Sequence, residues 1–231
     1  MIKTVLVIAA HPDDEVLGCG GTIARHVKEG DKVHTVILAE GITSRDKTRN
    51  RNAHKEELSE LGIAAKRANE ILGVHSLKLI DLPDNRLDSL NRLDLIKIVE
   101  ELINEIKPNI IYTHHIGDVN IDHRRIHEAV ITACRPFPQN NFVEELLFFE
   151  TASSTEWMTT GSAPPFVPNW YVDITDTLSL KLKSLQAYDY EMREWPHARS
   201  IKALEYQACW RGANIGKQAA EAFLLGRKIQ S

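Results

Sequence analysis

Residues 4–21 read TVLVIAAHPDDEVLGCGG. The opening run, Thr4 to Ala10, is apolar and partly β-branched, with no polar residue alternating through it. A strand covered by protein on both faces has this pattern, and such strands belong to parallel sheets. The run stops at His11. Pro12, Asp13, Asp14 and Glu15 follow, then Gly18, Gly20 and Gly21. An imidazole and three carboxylates at the end of a buried strand repel one another and lose hydration. A divalent cation relieves that cost, because ligation replaces repulsion and favours ionised carboxylates.

Outward from this stretch, Gly20 to Lys28 predicts a helix with Ile23, Ala24 and Val27 on one face, ended by Gly30-Asp31. Lys32 to Ala39 is a second strand. Strand, helix and strand in about 40 residues form a βαβ unit with a right-handed crossover. The polar stretch Glu40 to Asn52 reads as a surface loop. Ala53 to Leu72 repeats apolar residues at threes and fours and is closed by Gly73. Ser76 to Leu82 is a third strand ending in Pro83-Asp84-Asn85. Arg92 to Ile106 is an amphipathic helix stopped before Pro108, and Asn109 to His114 is a fourth strand. His123 to Cys134 is helical, with Asp122 as its cap. In the last third, Leu146–Thr151 and Tyr171–Ile174 are strand candidates and residues 153–170 are loop-like. Thr177 to Arg193 and Ser200 to Leu225 read as helices.

The expected fold is a Rossmann-like α/β domain, a mostly parallel sheet with helices on both faces. No repeat or linker divides the chain, so one domain over residues 1–231 is expected. In that reading residues 1–135 carry the metal-site core, and residues 136–231 supply substrate loops and C-terminal helices. A net charge of −4, from 28 basic and 32 acidic residues, leaves no footprint for nucleic acid and no polybasic membrane patch. No stretch approaches the roughly 20 apolar residues of a membrane span. The N-terminal run is short and followed at once by charge, unlike a signal peptide. Three distant cysteines without CxxC spacing fit reduced thiols in a cytoplasmic protein.

In open α/β sheets ligands bind beyond the carboxyl ends of the strands. Here those ends collect His11 with Asp13–Glu15, then Glu40-Gly41 with Ser44-Arg45, then Asp84 and Asn85. The fourth adds His114, His115, Asp118, Asn120, Asp122 and His123. Histidine with carboxylate suits zinc or another first-row divalent metal. A catalytic zinc site needs three protein ligands and an open position. His11 and one aspartate supply two. His123 is the best candidate for the third, with His114 and His115 as alternatives. Adjacent side chains in a turn point different ways, so one aspartate binds metal and the other takes a proton from attacking water. Gly18-Cys19-Gly20-Gly21 does not fit a dinucleotide GxGxxG, and the acidic turn before it opposes a pyrophosphate; the glycines suit close helix–sheet packing.

Ala10-His11-Pro12-Asp13-Asp14-Glu15, after a first strand, resembles the PIG-L/LmbE-like deacetylases. Asp122-His123 at a helix start after the fourth strand, and Leu82-Pro83-Asp84, match that family too. The resemblance runs through roughly the first 135 residues. It implies a Rossmann-like fold and a metal-dependent hydrolase, usually with zinc, that removes N-acetyl groups from amino sugars and their conjugates. It implies His11, Asp14 and His123 as metal ligands and Asp13 as general base. Asp84 then lies near substrate hydroxyls or orients a catalytic histidine. Family members associate, so the resemblance allows a homo-oligomer.

One departure matters. Many members read His-Pro-Asp-His where this chain reads Asn120-Ile121-Asp122-His123. Asn120 can donate to an oxyanion but cannot deliver a proton. His197, in Pro196-His197-Ala198-Arg199-Ser200, is the first substitute expected, with return of the proton by Asp13 as the other route. Trp157 and Glu156 suit a sugar face and its hydroxyls. Arg45 and Arg199 suit a phosphate or carboxylate on the substrate. The rival readings are another metal hydrolase on this site, acting on a different acyl amide or a phosphoester, and a nucleotide-binding module.

Overall fold

The computed structural model describes residues 2–138 and 142–230. The strands are β1 (Thr4–Ala9), β2 (Lys32–Ala39), β3 (Ser76–Leu82), β4 (Ile110–His114), β5 (Glu145–Phe149), β6 (Trp170–Asp173) and β7 (Ala220–Lys228). The helices are α1 (Asp14–Lys28), α2 (Lys55–Leu72), α3 (Arg92–Ile106), α4 (Ile121–Ala133), α5 (Leu178–Leu185) and α6 (Ile201–Ala213). All strands join one seven-stranded sheet in the order β3-β2-β1-β4-β5-β7-β6. The first five in this order run parallel, and β7 is antiparallel to both its neighbours.

β1 is apolar throughout because both its faces are covered. Val5, Val7 and Ala9 pack into one core, with α1 and α2. Leu6, Ile8 and Ala10 pack into the other, with α3 and α4. The alternation follows from successive side chains leaving a strand on opposite faces. β2 leaves β1 to one side and β4 lies on the other. The order therefore reverses at β1 and β4, and their carboxyl ends open onto a crevice.

The structure moves several predicted boundaries. α1 begins at Asp14, not Gly20, and is two helical pieces joined at Cys19, where φ −150 and ψ 24 leave the helical range. Gly18 allows the first piece to lie on the sheet: a Cβ there would overlap the Phe149 ring. The cap of α4 is Asn120, whose side chain accepts from the Asp122 N–H at 2.9 Å, rather than Asp122. Thr177–Arg193 is helical only over α5 and one following turn, Gln186–Tyr188. The predicted helix Ser200–Leu225 divides into α6 and β7. Residues 220–225 are Ala, Glu, Ala, Phe, Leu and Leu, mostly strong helix formers. Pairing on both sides, with β5 and β6, overrides that propensity.

Candidate active site

The carboxyl end of β1 turns sharply. Asp13 takes φ 110 and ψ −30, a conformation that costs a non-glycine residue of order 1–3 kcal/mol. The turn is pinned by its neighbour: the buried Glu15 carboxylate accepts the Asp13 N–H at 3.1 Å. Glu15 is itself held by Asn69 at 3.0 Å and the Tyr188 hydroxyl at 2.5 Å. Burial raises the Glu15 carboxyl to about 7, against the lowering effect of these bonds. Glu15 therefore shapes the turn and does not bond to His11. The strained φ is also what parts the two aspartates. Asp14, the first helical residue, accepts the His11 N–H at 2.9 Å. Asp13 turns away and accepts from the Arg199 guanidinium at 2.7 Å.

Asp14, His11 and His123 converge. Asp14 Oδ2 lies 3.3 Å from His11 Nδ1 and 3.1 Å from His123 Nε2. One ligand-type atom from each of the three residues lies within 4.8 Å of the others. The far side of each imidazole is fixed by carboxylates. His11 Nε2 meets Asp122 at 3.0 Å and Asp84 at 3.2 Å. His123 Nδ1 meets Asp118 at 3.1 Å. Those carboxylates are anchored in turn. Asp122 accepts the N–H groups of Asn85 and Leu87 at 2.7 and 2.9 Å, and Asp84 accepts that of Ser44 at 2.9 Å. Asp118 accepts from the Ser154 hydroxyl and, at 2.8 Å, from that of Thr155.

Two buried atoms at the centre have no hydrogen-bond partner among the described residues: Asp14 Oδ1 and His123 Nε2. The latter is close to Asp14 Oδ2 but not aligned with it as a bond. Unpartnered buried polar atoms call for an ion or a water as their partner. Two nitrogens and a carboxylate, each with its outer side fixed, are the donor set of a catalytic zinc-type site. His11 also approaches Asp84 and Asp122 closely enough for a second grouping. Each oxygen of those two carboxylates already accepts an N–H, from backbone or from the Asn85 amide, whereas Asp14 Oδ1 accepts none, so His11, Asp14 and His123 fit the ion better. His114 is excluded as a ligand because its Nε2 accepts the Ala10 N–H at 2.9 Å. His115 Nδ1 accepts the Gly117 N–H at 3.0 Å, and His127 bonds to the His114 carbonyl at 2.9 Å.

The charges respond to this crowding. Burial pulls His11 and His123 toward the neutral form. Asp122, Asp14 and Asp84 outweigh it at His11, which is raised well above the usual imidazole range. Asp14 and Asp118 outweigh it at His123, raised to about 9. Burial likewise opposes charge on Asp84 and Asp118, but hydrogen bonding with His11 and His123 holds both near 2. Asp13 behaves differently: burial raises its carboxyl well above the usual range, and Arg199 offsets only part of this.

His11, Asp13, Asp84, Asn120, Arg45 and Arg199 line one cleft. His197 is not in that lining; its Nδ1 accepts the Arg199 N–H at 3.0 Å and its ring meets Trp157 edge-on at 6.0 Å. Trp157 is 54% exposed. Glu156 spends its carboxylate on the N–H groups of Ser153 and Ser154, at 2.6 and 3.2 Å. Arg199, expected on the substrate, is the partner of Asp13. Arg45 pairs with Glu191 at 2.9 Å. The residues that sequence reading passed over are Asn69, Ser154, Thr155 and Tyr188. Asp118 was legible only as an acid at a strand end, and Asp122 as that, as a helix cap and as part of the family match, not as the carboxylate that holds His11.

A strand-end cleft with a His11, Asp14 and His123 group that could hold a metal ion, and a separate buried carboxylate, is an arrangement suited to hydrolytic chemistry on a Rossmann-like sheet. The comparisons make this specific. The family model for PIG-L, GlcNAc-PI de-N-acetylase, matches residues 6–134, and the chain belongs to that family. It is 30% identical over 192 residues to the uncharacterized deacetylase YaiS of Escherichia coli, covering 80% of this chain and 90% of the relative. It is also 30% identical over 257 residues to 4-oxalmesaconate hydratase of Pseudomonas putida, covering 99% of this chain and 89% of the relative. Its fold matches that of N,N'-diacetylchitobiose deacetylase from Pyrococcus horikoshii with a TM-score of 0.77 at 22% identity, over 96% of this chain and 83% of the other.

Proposed function

We propose that this chain is a zinc-dependent N-deacetylase that hydrolyses the acetamide of an N-acetylated amino sugar or its conjugate. The observation that carries the reading is the pair of unpartnered buried atoms, Asp14 Oδ1 and His123 Nε2, beside His11. These three residues would hold the ion; another first-row divalent metal would fit the same donors. When bound, the ion supplies a Lewis acid and activates water for attack on a carbonyl.

The remaining steps belong to the chain's own side chains. Asp84 and Asp122 hold His11, and Asp118 holds His123, so neither imidazole can rotate away from the cleft. Asp13 takes the proton from the attacking water at its carboxylate. Its raised affinity for a proton suits that task and the return step. The C–N bond breaks as Asp13 passes this proton to the leaving nitrogen, giving acetate and a free amine. This route needs no imidazole at position 120. Asn120 gives its side-chain oxygen to the helix and keeps its amide donors for the developing oxyanion. Arg199 keeps Asp13 turned from Asp14 while the proton is absent. His197 and Trp157 form an outer rim with Glu156, where a sugar face can rest.

We place this activity in a single domain in the cytoplasm. All three cysteines are unpaired, and among the described residues no helix is long and apolar enough to cross a membrane. The test is acetate release by the purified chain from a panel of N-acetylated sugars, with and without chelator. Chelator-sensitive acetate release supports the reading. Hydration of 4-oxalmesaconate with no acetate from any sugar would instead place the chain with its hydratase relative.

A further inference from the structure

The catalytic cleft has a neighbour. A groove of about 290 Å³ lies between α2 and the chain after α5. Ile42, Arg45, Leu61 and Glu191 line both this groove and the cleft that holds His11 and Asp13. The two spaces are therefore adjacent, and these four residues, with the Arg45–Glu191 pair among them, form the wall they share.

The groove is apolar inside. Ile42, Leu61, Ala64, Tyr188 and Tyr190 provide its surface, and Tyr190 is 75% exposed. Charge at its edge is mostly negative: Glu57, Glu60, Asp189 and Glu191 face it, against Arg45 alone. Arg45 is already engaged by Glu191. An anion entering here would meet carboxylates and find no free cation in the lining.

Two further observations tie the groove to the reaction centre. Ile42 has φ 66 and ψ −46, a strained conformation for a β-branched residue. Such strain persists where surrounding structure over-determines it, and it clusters at ligand sites. Here it sets the wall between the two spaces. Tyr188, on the groove side, sends its hydroxyl to Glu15, which holds the Asp13 N–H. The groove surface and the turn bearing Asp13 are one bonded unit.

We propose that the groove is an aglycone subsite, and that the substrate is an N-acetylated amino sugar carrying a neutral apolar group, aryl or short alkyl. This rests on the deacetylase reading above. With the sugar in the cleft, its substituent extends over Ile42 onto Ala64 and the exposed Tyr190 ring, with Leu61 and the buried Tyr188 beneath. An apolar cavity of about 150 Å³ accepts benzene, so the volume suffices for a ring with a short chain. Arg45, expected to bind an anion on the substrate, instead pairs with Glu191 in the wall that the two spaces share.

The experiment uses the metal-loaded full chain and three ligands: N-acetylglucosamine, its phenyl β-glycoside and its 4-carboxyphenyl β-glycoside. Calorimetric affinity and acetate release are measured for each. The phenyl glycoside should bind at least about tenfold tighter than the free sugar, through burial of its ring, and the carboxyphenyl glycoside should lose that gain. Ala64→Trp, at a half-exposed helix position, fills the groove and should bring the phenyl glycoside down to the level of the free sugar. Ala64→Leu should do so in part. Equal affinities in the wild type, a preference that survives Ala64→Trp, or full binding of the carboxylate would each overturn the subsite. Preferential binding that Ala64→Trp abolishes, with no acetate from any ligand, upholds the subsite and overturns the deacetylase reading. Acetate release without the preference does the reverse.

Discussion

Lys181 with Glu221, and Asp14 with His11 and His123, are two largely buried charged clusters in this molecule. They differ in whether the chain completes them. Glu221 accepts the N–H groups of Gly21 and Thr22 at 3.0 and 2.7 Å, where α1 restarts after Cys19, and the Lys181 ammonium at 2.5 Å. Lys181 also donates to the Leu17 carbonyl at 2.8 Å. Each charge has an opposite charge and a backbone partner, so the cluster acts as a brace that joins α1, α5 and β7. The second cluster is supplied from outside by Asp84, Asp118 and Asp122, yet leaves Asp14 Oδ1 and His123 Nε2 bare at its centre. A closed cluster holds a fold; one finished everywhere except at its middle awaits a ligand.

Substitutions can break that contrast. His123→Ala should abolish metal binding and reduce kcat/KM by at least about 10⁴-fold, well beyond the loss expected from a residue behind a ligand. Elemental analysis and steady-state kinetics read both effects. Asp13→Asn should retain the metal and lose about 10²–10⁴ in kcat, with KM little changed. Retained turnover would move the base elsewhere. Glu221→Gln should cost about 3–5 kcal/mol of stability in urea unfolding, because Lys181 loses its counter-charge. Metal bound per folded chain should not change, which separates brace from site.

Smaller effects sharpen the comparison. Asp118→Asn should weaken metal affinity by about 10–100-fold, because His123 loses the carboxylate that orients it. The last effect is of pH. In the metal-free chain His123 keeps its proton to about 9, and His11 is also raised. Both must be neutral to bind an ion, so affinity should rise with pH between neutrality and about 9 and fall below it. Competition with a chelator across that range measures the slope.

The half of the fold that builds the site was legible because its inner strands, β1, β2 and β4, are largely buried and read as mostly apolar runs, while β3, at the sheet edge, is marked by the turn Pro83-Asp84-Asn85 that ends it. β1, β2 and β3 end at the strand-end acids the sequence displays. β7 was hidden because Ala220 to Leu225 has helical propensity, and only its neighbours in the sheet make it a strand. Strand ends alone pointed to His11, one of the two aspartates and a histidine from the fourth strand end; the choice of Asp14 came with the family resemblance. The Arg199–Asp13 pair could not be anticipated, since 186 residues separate its members and no local pattern marks them. Glu15 posed the same difficulty: its partners Asn69 and Tyr188 come from α2 and the turn after α5. Asn120 looked like a lost catalytic histidine, and in the fold it is the cap of α4.

The most direct test of the account is the zinc stoichiometry of the full chain after dialysis, for the wild type and for His123→Ala. About one ion per wild-type chain and none in the variant are expected. A wild-type chain that binds no ion, or a variant that binds as much as the wild type, would contradict the assignment of His11, Asp14 and His123 as the metal site.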